Sequence, residues 1–546
     1  MLTISRTRGT VLVLAAALVA GCGSSSATAA PANGRPGGNG AAQGPVTPAP
    51  AGPRIGVPVP APSAAASANG TVQQPASSAV APLTGGQPGD ATFTAPGLNP
   101  YVATARDHLS TFGLDVDTAS YTIARAAIQA GSRPDPASVR VEEWVNFFDQ
   151  GYAPPEEGVF AIHADGVPAP FLTGSQTDNE VVLRVGIKAQ PVSRHERPDA
   201  ALTFVIDTSG SMADNDKLEL VKASLRLLVD QLRPSDRVAI VAFSTEARIV
   251  LQPTSGDQRD RIVGAIDDLQ PQQTTNVEAG LTQGYELARE SMIEGGINRV
   301  ILASDGVANV GNVDPGGILE DVARDAAAGI QLVSVGVGMG TYNDTLLEQL
   351  ADKGDGFYAY IDTPDEAHRL FVERLVSTID TVALDAKAQV DFDPETVAAY
   401  RLIGYENRAI ADQDFRNNHV AAGAIGAGHA VTVLYGVRLR DGVRPGDRLA
   451  TVNLRWTDPA TKRATELSRD IAGSDIATSW SRADSHLRLD TLVAAAAETF
   501  RGSPWIEDFS LRQLADAVRE VRGDLPATDQ VDEFAGLVQD AARLGR

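Results

Sequence analysis

Asp207, Ser209 and Ser211 stand at alternate positions in the turn Asp207-Thr208-Ser209-Gly210-Ser211, directly after the apolar run Ala201-Leu202-Thr203-Phe204-Val205-Ile206. One carboxylate and two hydroxyls are hard oxygen donors, and no thiolate or imidazole accompanies them. Such a turn suits Mg²⁺ or Mn²⁺ better than zinc. Two further groups of the same chemistry follow. Thr274-Thr275-Asn276 opens a segment continuing Glu278-Ala279-Gly280-Leu281, and Ser304-Asp305-Gly306 closes the apolar run 299–304. Each group has a local alternative, since Asp207 and Ser209 can cap one helix, Thr275 another, and Asp-Gly is a common turn. All three in order within one strand–helix unit point instead to a shared metal site.

The elements that must position these groups are legible as hydrophobic periods. Strand 201–206 precedes a helix over 215–232, where Leu218, Val221, Leu225, Leu228 and Leu232 recur at three or four. A hairpin is expected over 237–243 and 247–251, then helices near 257–268 and 276–293 and a strand over 299–304. Helix 317–328, strand 330–336, helix 343–352, strand 357–361 and helix 364–380 complete residues 198–382. The fold class that follows is α/β, a doubly wound, mostly parallel sheet covered on both faces. In such a sheet the three polar groups lie on loops at the carboxyl edge, near the switch point where ligands bind.

This arrangement resembles the von Willebrand factor type A (VWA) domain, a Rossmann-like fold, and its metal-ion-dependent adhesion site. The resemblance covers residues 198–382. It implies hydroxyl ligands from Ser209, Ser211 and Thr275, and carboxylates of Asp207 and Asp305 that bind directly or through water. It also implies Mg²⁺ (or Mn²⁺) as the cofactor and a coordination position open to an acidic side chain of a protein partner. Two features depart from the family. Gln272-Gln273 stands where glycines usually precede the threonine, and Thr274 competes with Thr275, although Asn276 after Thr275 favours the latter.

A wider resemblance spans the flanks. Leu114-Asp-Val-Asp-Thr-Ala-Ser-Tyr121, Val139-Arg-Val-Glu-Glu-Trp-Val-Asn-Phe-Phe148, Gly296-Ile-Asn-Arg-Val-Ile-Leu302, Arg401-Leu-Ile-Gly-Tyr-Glu-Asn-Arg408 and Gly426-Ala-Gly-His429 are similar to segments of the bacterial YfbK-type proteins. That family sets a VWA domain between a dedicated N-terminal domain and a C-terminal domain of unknown function. The resemblance therefore implies domains at 96–195, 198–382 and 383–546. The flanks read as α+β regions, with helices over 118–130 and 138–149, strands at 387–392, 430–440 and 448–456, and helices at 485–500, 508–521 and 529–543. Asp115-x-Asp117 superficially matches an aspartyl phosphotransferase motif. Its threonine falls one position early, so a turn or helix cap is the better reading. Gly336-x-Gly338-x-Gly340 lacks the spacing of a dinucleotide loop and reads as a strand-end turn.

The chain begins with Arg6 and Arg8, an apolar stretch from Val11 to Ala20, and Val19-Ala20-Gly21-Cys22, which read together as a secretory signal over 1–22. Small residues before a cysteine resemble the bacterial lipoprotein signal, with Cys22 the lipidated residue. Cys22 is the only cysteine, which excludes a disulfide within the monomer. Residues 23–95 are rich in Ala, Gly, Pro, Ser and Thr and cannot bury enough apolar area to offset ordering, so a disordered linker is expected. The expected location is the extracytoplasmic face of the membrane, lipid-anchored.

A net charge of −23 argues against nucleic acid, which rewards basic surfaces. No Gly-x-x-x-x-Gly-Lys loop or His-x-x-x-His pair is present, and no general base is spaced to serve a bound Mg²⁺. The function expected is metal-dependent protein binding without catalysis. The alternatives are a structural envelope scaffold and, behind it, a metal-assisted hydrolase or phosphotransferase.

Overall fold

The computed structural model describes residues 93, 95 and 97–544, except 115–116, 170, 172–178, 273, 306–314, 339–343, 419, 421 and 507–508. The signal segment, Cys22 and all of the linker but 93 and 95 lie outside the described residues, as do Asp115, Gln273, Gly306 and Gly340.

In the leading region lie β1 (Val102–Ala103), β2 (Leu109–Gly113), α1 (Ala119–Gln129), α2 (Val141–Phe147), β3 (Phe160–Pro168) and β4 (Glu180–Ala189). The central region then alternates β5 (Ala200–Asp207), α3 (Lys217–Val229), β6 (Arg237–Phe243), β7 (Ala247–Ser255), α4 (Arg259–Asp267), α5 (Val277–Ser291), β8 (Ile297–Ser304), α6 (Pro315–Ala327), β9 (Gln331–Val337), α7 (Asp344–Lys353) and β10 (Tyr358–Ile361). Its strands lie in the order β10-β9-β8-β5-β6-β7, parallel except for β7, which returns antiparallel to β6. All eight residues of β5 and of β8 are buried, as a parallel strand covered on both faces requires. Leu202, Phe204 and Ile206 face α3 and α4, whereas Val205 faces the layer of α5, α6 and α7. This is the doubly wound α/β sheet of the expected class.

The long helix expected over 364–380 is broken. It divides into α8 (Pro364–His368), a π turn over Arg369–Glu373 and α9 (Leu375–Ile379). The cause is packing against α2: Arg369 and Arg374 both donate to the Phe147 carbonyl, and the Arg369 guanidinium lies 3.5 Å from the Phe147 ring centroid. A π turn inserted into an α-helix shifts its side chains to meet such contacts.

The trailing region adds β11 (Thr381–Phe392), β12 (Val397–Ile403), β13 (Ile425–Gly426), β14 (Ala430–Leu439), β15 (Arg448–Thr457), β16 (Ala464–Ala472), α10 (Ser485–Phe500), α11 (Leu511–Arg522) and α12 (Asp529–Arg543). Here the structure departs from a division at 96–195 and 383–546. One sheet runs β1-β12-β14-β4-β3, and the other holds β13-β11-β15-β16 with β2 paired to β11. Both are antiparallel and both mix leading and trailing strands. Their shared core includes Phe112, Leu183, Val185, Val390, Val433 and Val452, so neither flank has a complete core of its own. On the outer face of the first sheet, α1, α2 and α10–α12 enclose Trp144, Val182, Leu434, Leu492 and Phe534 in a second core. The two flanks form one three-layer unit around the inserted α/β sheet.

Candidate functional site

β5 ends at Asp207, and Ile206 pairs with Ala303 of β8, so Asp207 lies level with Ser304. The chain leaves β5 for β6 on one side and reaches β8 on the other, which makes the gap beside these two strand ends the switch point of the sheet. Asp207 is fully buried. One of its oxygens accepts from the Ser209 backbone N–H at 2.8 Å, and the other accepts from the Ser304 hydroxyl at 2.7 Å. Burial pushes its carboxyl up to about 6, with a smaller contribution from the nearby charge of Asp305, against the lowering effect of those two hydrogen bonds.

The Ser209 and Ser211 hydroxyls lie 3.1 Å apart, so the turn presents both on one side. Thr208 anchors the turn by donating from its N–H and its hydroxyl to the Phe243 carbonyl, both at 2.9 Å. Asp305, directly after β8, is also fully buried, and it accepts from Lys217 Nζ at 3.0 Å.

The threonine loop is fastened to the same edge. Gln272 N–H donates to the Thr208 carbonyl, Asn276 N–H donates to the Ser244 carbonyl at 2.7 Å, and the Ser244 hydroxyl donates to Gln272 Oε1. Gln272, where the family usually has glycine, thus acts as a staple between the loop and β6. Asn276 caps α5 through Ala279 N–H. α5 approaches the sheet closely because Gly280 and Gly284 face it. A Cβ at Gly284 would lie 2.3 Å from Val205, and one at Gly280 would lie 2.6 Å from the Phe243 ring. The structure also separates the two threonines: Thr275 is buried, whereas Thr274 is exposed and bonds to the Thr245 hydroxyl.

Asp207, Ser209, Ser211 and Asp305 therefore gather at the ends of two adjacent strands, with Thr275 on the loop pinned beside them. The donors are all hard oxygens. Among the described residues no ion pair reaches Asp207. A buried carboxylate in that condition suits a cation, so the residues present fit a divalent metal.

One residue of the site is missed from the sequence. Lys217 enters the site from the start of α3. Its signal was scarcity, since only six of the 46 basic residues are lysine. Asp117, read from the sequence as part of a turn or a helix cap, makes long-range bonds. It accepts from the Tyr358 N–H of β10 at 2.7 Å and from Arg408 at 3.0 Å, and so ties all three regions together. It lies beside Glu143 and Glu348, which bond to Arg140 and Arg408.

Comparison with known proteins identifies the domains in which this site lies. Residues 201–373 match the model of the von Willebrand factor type A domain, residues 377–544 match that of the YfbK C-terminal region, and residues 87–177 match a model described as von Willebrand factor. The chain is 35% identical to the uncharacterized protein YfbK of Escherichia coli K12 over 477 residues, covering 83% of this chain and 81% of that one. It is 27% identical to the uncharacterized protein sll0103 of Synechocystis, over 52% of this chain and 68% of that protein. A solved von Willebrand factor type A protein from Catenulispora acidiphila is similar at 16% identity, with a TM-score of 0.41, covering 70% of this chain and 95% of that one. The chain is a member of the YfbK family, with a VWA domain preceding the YfbK C-terminal region.

Proposed function

We propose that this protein binds a protein partner through a divalent cation held at the carboxyl edge of the VWA sheet. Domains of this kind commonly mediate protein–protein contacts through such a site. The observation that carries the reading is Asp207, a carboxylate with no solvent exposure, no ion pair among the described residues and a proton affinity raised by burial. It sits beside the paired hydroxyls of Ser209 and Ser211. Asp207 and Asp305 supply charge, while Ser209, Ser211 and Thr275 supply neutral oxygens. Mg²⁺ or Mn²⁺, when bound there, contributes a Lewis-acidic centre able to take a carboxylate oxygen from outside. The two carboxylates formally balance the divalent charge, and with only neutral oxygens in the remaining positions the ion keeps affinity for an acidic partner side chain. The reading is binding through the metal.

We further propose attachment through lipid on Cys22 at the extracytoplasmic face, with residues 23–95 as a tether. Acyl burial contributes about 0.8 kcal/mol per CH₂, and stable anchoring takes more than one chain. Cys22→Ala should move the protein from the membrane to the soluble fraction, and undiminished membrane retention contradicts the anchor.

The test of function is capture from an envelope extract by the full chain, in Mg²⁺ and in chelator, for wild type and Asp207→Ala. Proteins retained by wild type in Mg²⁺ should be released by chelator and never held by Asp207→Ala. Capture indifferent to both would overturn the proposal.

A further inference from the structure

We propose that Lys217 is a counter-ion built into the metal site. It neutralises Asp305 when no metal is bound, and it keeps the loaded site one charge more positive than its ligands alone would make it. This rests on the metal reading above and concerns how the site divides its affinity between the cation and an anionic partner.

Four observations support a dedicated role. The ammonium lies 3.0 Å from Asp305 Oδ2, with both side chains buried. Lys217 opens α3, where a cation opposes the helix dipole. Helix stability therefore does not account for a lysine at this position. The preceding turn brings it there through Asn215 and Asp216, two successive non-glycine residues with left-handed backbone (φ 52° and 56°), a conformation kept where surrounding structure or function demands it. Finally, the lysine stem runs beneath Gly338, just past the end of β9. That residue has φ +77°, and a Cβ on it would lie 2.5–2.7 Å from Lys217 Cε, Cγ and Cδ.

Residue choice points the same way. The chain uses arginine for most of its cations, yet here it uses one of six lysines. A compact ammonium fits beside one carboxylate oxygen, where a planar guanidinium would need a broader, bidentate arrangement.

Among the described residues named in the site, the charges are the carboxylates of Asp207 and Asp305 and the ammonium of Lys217. Without Lys217, a divalent cation would bring these groups to neutrality. With it, the assembly keeps one positive charge. Like charges a few ångströms apart at low dielectric repel strongly. Lys217 therefore weakens metal binding in the absence of a partner and strengthens the pull on an incoming carboxylate. A lysine serving only to stabilise the fold would have the opposite effect on the metal, because its loss would disorder the ligands.

The experiment is calorimetric titration of Mg²⁺ alone into full-length wild type, Lys217→Met, Lys217→Gln and Asp207→Ala. Both Lys217 variants should bind Mg²⁺ on the order of tenfold more tightly than wild type. Their melting temperature should fall in chelator and rise more on adding Mg²⁺. Unchanged or weaker Mg²⁺ affinity in both, beside a wild type that binds and an Asp207→Ala that does not, overturns this inference and leaves the metal reading intact. No binding by any of the four proteins overturns both. If neither Lys217 variant folds, wild type labelled at lysine side chains provides the measurement. Substoichiometric Mn²⁺ should broaden the Lys217 signal before the other five, and an unaffected Lys217 signal overturns the inference.

Discussion

Two buried aspartates at opposite ends of the same sheet are held in contrasting ways. Asp236, at the amino edge, has no exposure and is fully matched. Arg197 donates to both its oxygens at 2.9 and 2.6 Å, and the Arg233 and Ala200 N–H groups add two more bonds. Its carboxyl is held below the ordinary range by these partners, despite burial. Asp207, at the carboxyl edge, is equally buried, yet it accepts from one backbone N–H and one hydroxyl and its carboxyl is pushed up to about 6. The first arrangement is complete without any ligand. The second carries charge that its surroundings leave only partly offset, and that imbalance is the basis of the proposed metal site.

The comparison is tested most severely by breaking each end. Arg197→Ala leaves Asp236 buried without its cation and should cost about 3–5 kcal/mol in urea unfolding. Asp207→Ala, measured in chelator, removes a carboxylate whose burial is poorly compensated, so its cost should stay under about 1 kcal/mol. A loss of several kcal/mol from Asp207→Ala in chelator would erase the distinction between the two edges.

A half-buried imidazole, with no ion pair among the described residues, stands just before β14, and its pH response sharpens the contrast. Burial, with the charges of Arg374 and Lys188, pushes the His429 imidazole down to about 3 from an ordinary 6.5. The unfolded chain then binds this proton more tightly than the folded one, so stability falls as pH drops from 6.5 toward 3. His429→Asn should remove roughly 1–2 kcal/mol of the loss between pH 7 and pH 4.5. Thermal melts across that range check it, and an unchanged profile counts against the assignment.

The smallest effect separates the two threonines. Thr274→Ala should leave Mg²⁺ affinity unchanged and shift stability by no more than about 0.5 kcal/mol. Thr275→Ala should weaken Mg²⁺ binding measurably, and the reverse ranking would move the ligand to Thr274.

The contrast between regions also explains what could be read from the sequence. In the α/β unit each strand is followed locally by the helix that covers it, so hydrophobic period alone placed β5, β8, β9 and their helices within a few residues. The sandwich is assembled from strands far apart in the chain, such as Val185 of β4 opposite Val433 of β14. No local pattern announces such a pairing, and the leading strands β3 and β4 were not anticipated. At the site, Asp207, Ser209 and Ser211 are readable because their spacing is local. Lys217 was not, because its role depends on a contact with Asp305, 88 positions away. The break in helix 364–380 was hidden for the same reason, since it answers to Phe147 on α2.

The most direct test of the central claim is titration of Mg²⁺ into the metal-free wild type and Asp207→Ala, followed by calorimetry, with melts in chelator confirming that both are folded. The account predicts saturable binding of a single Mg²⁺ by the wild type and none by Asp207→Ala. Equal Mg²⁺ affinity in the two proteins would contradict it.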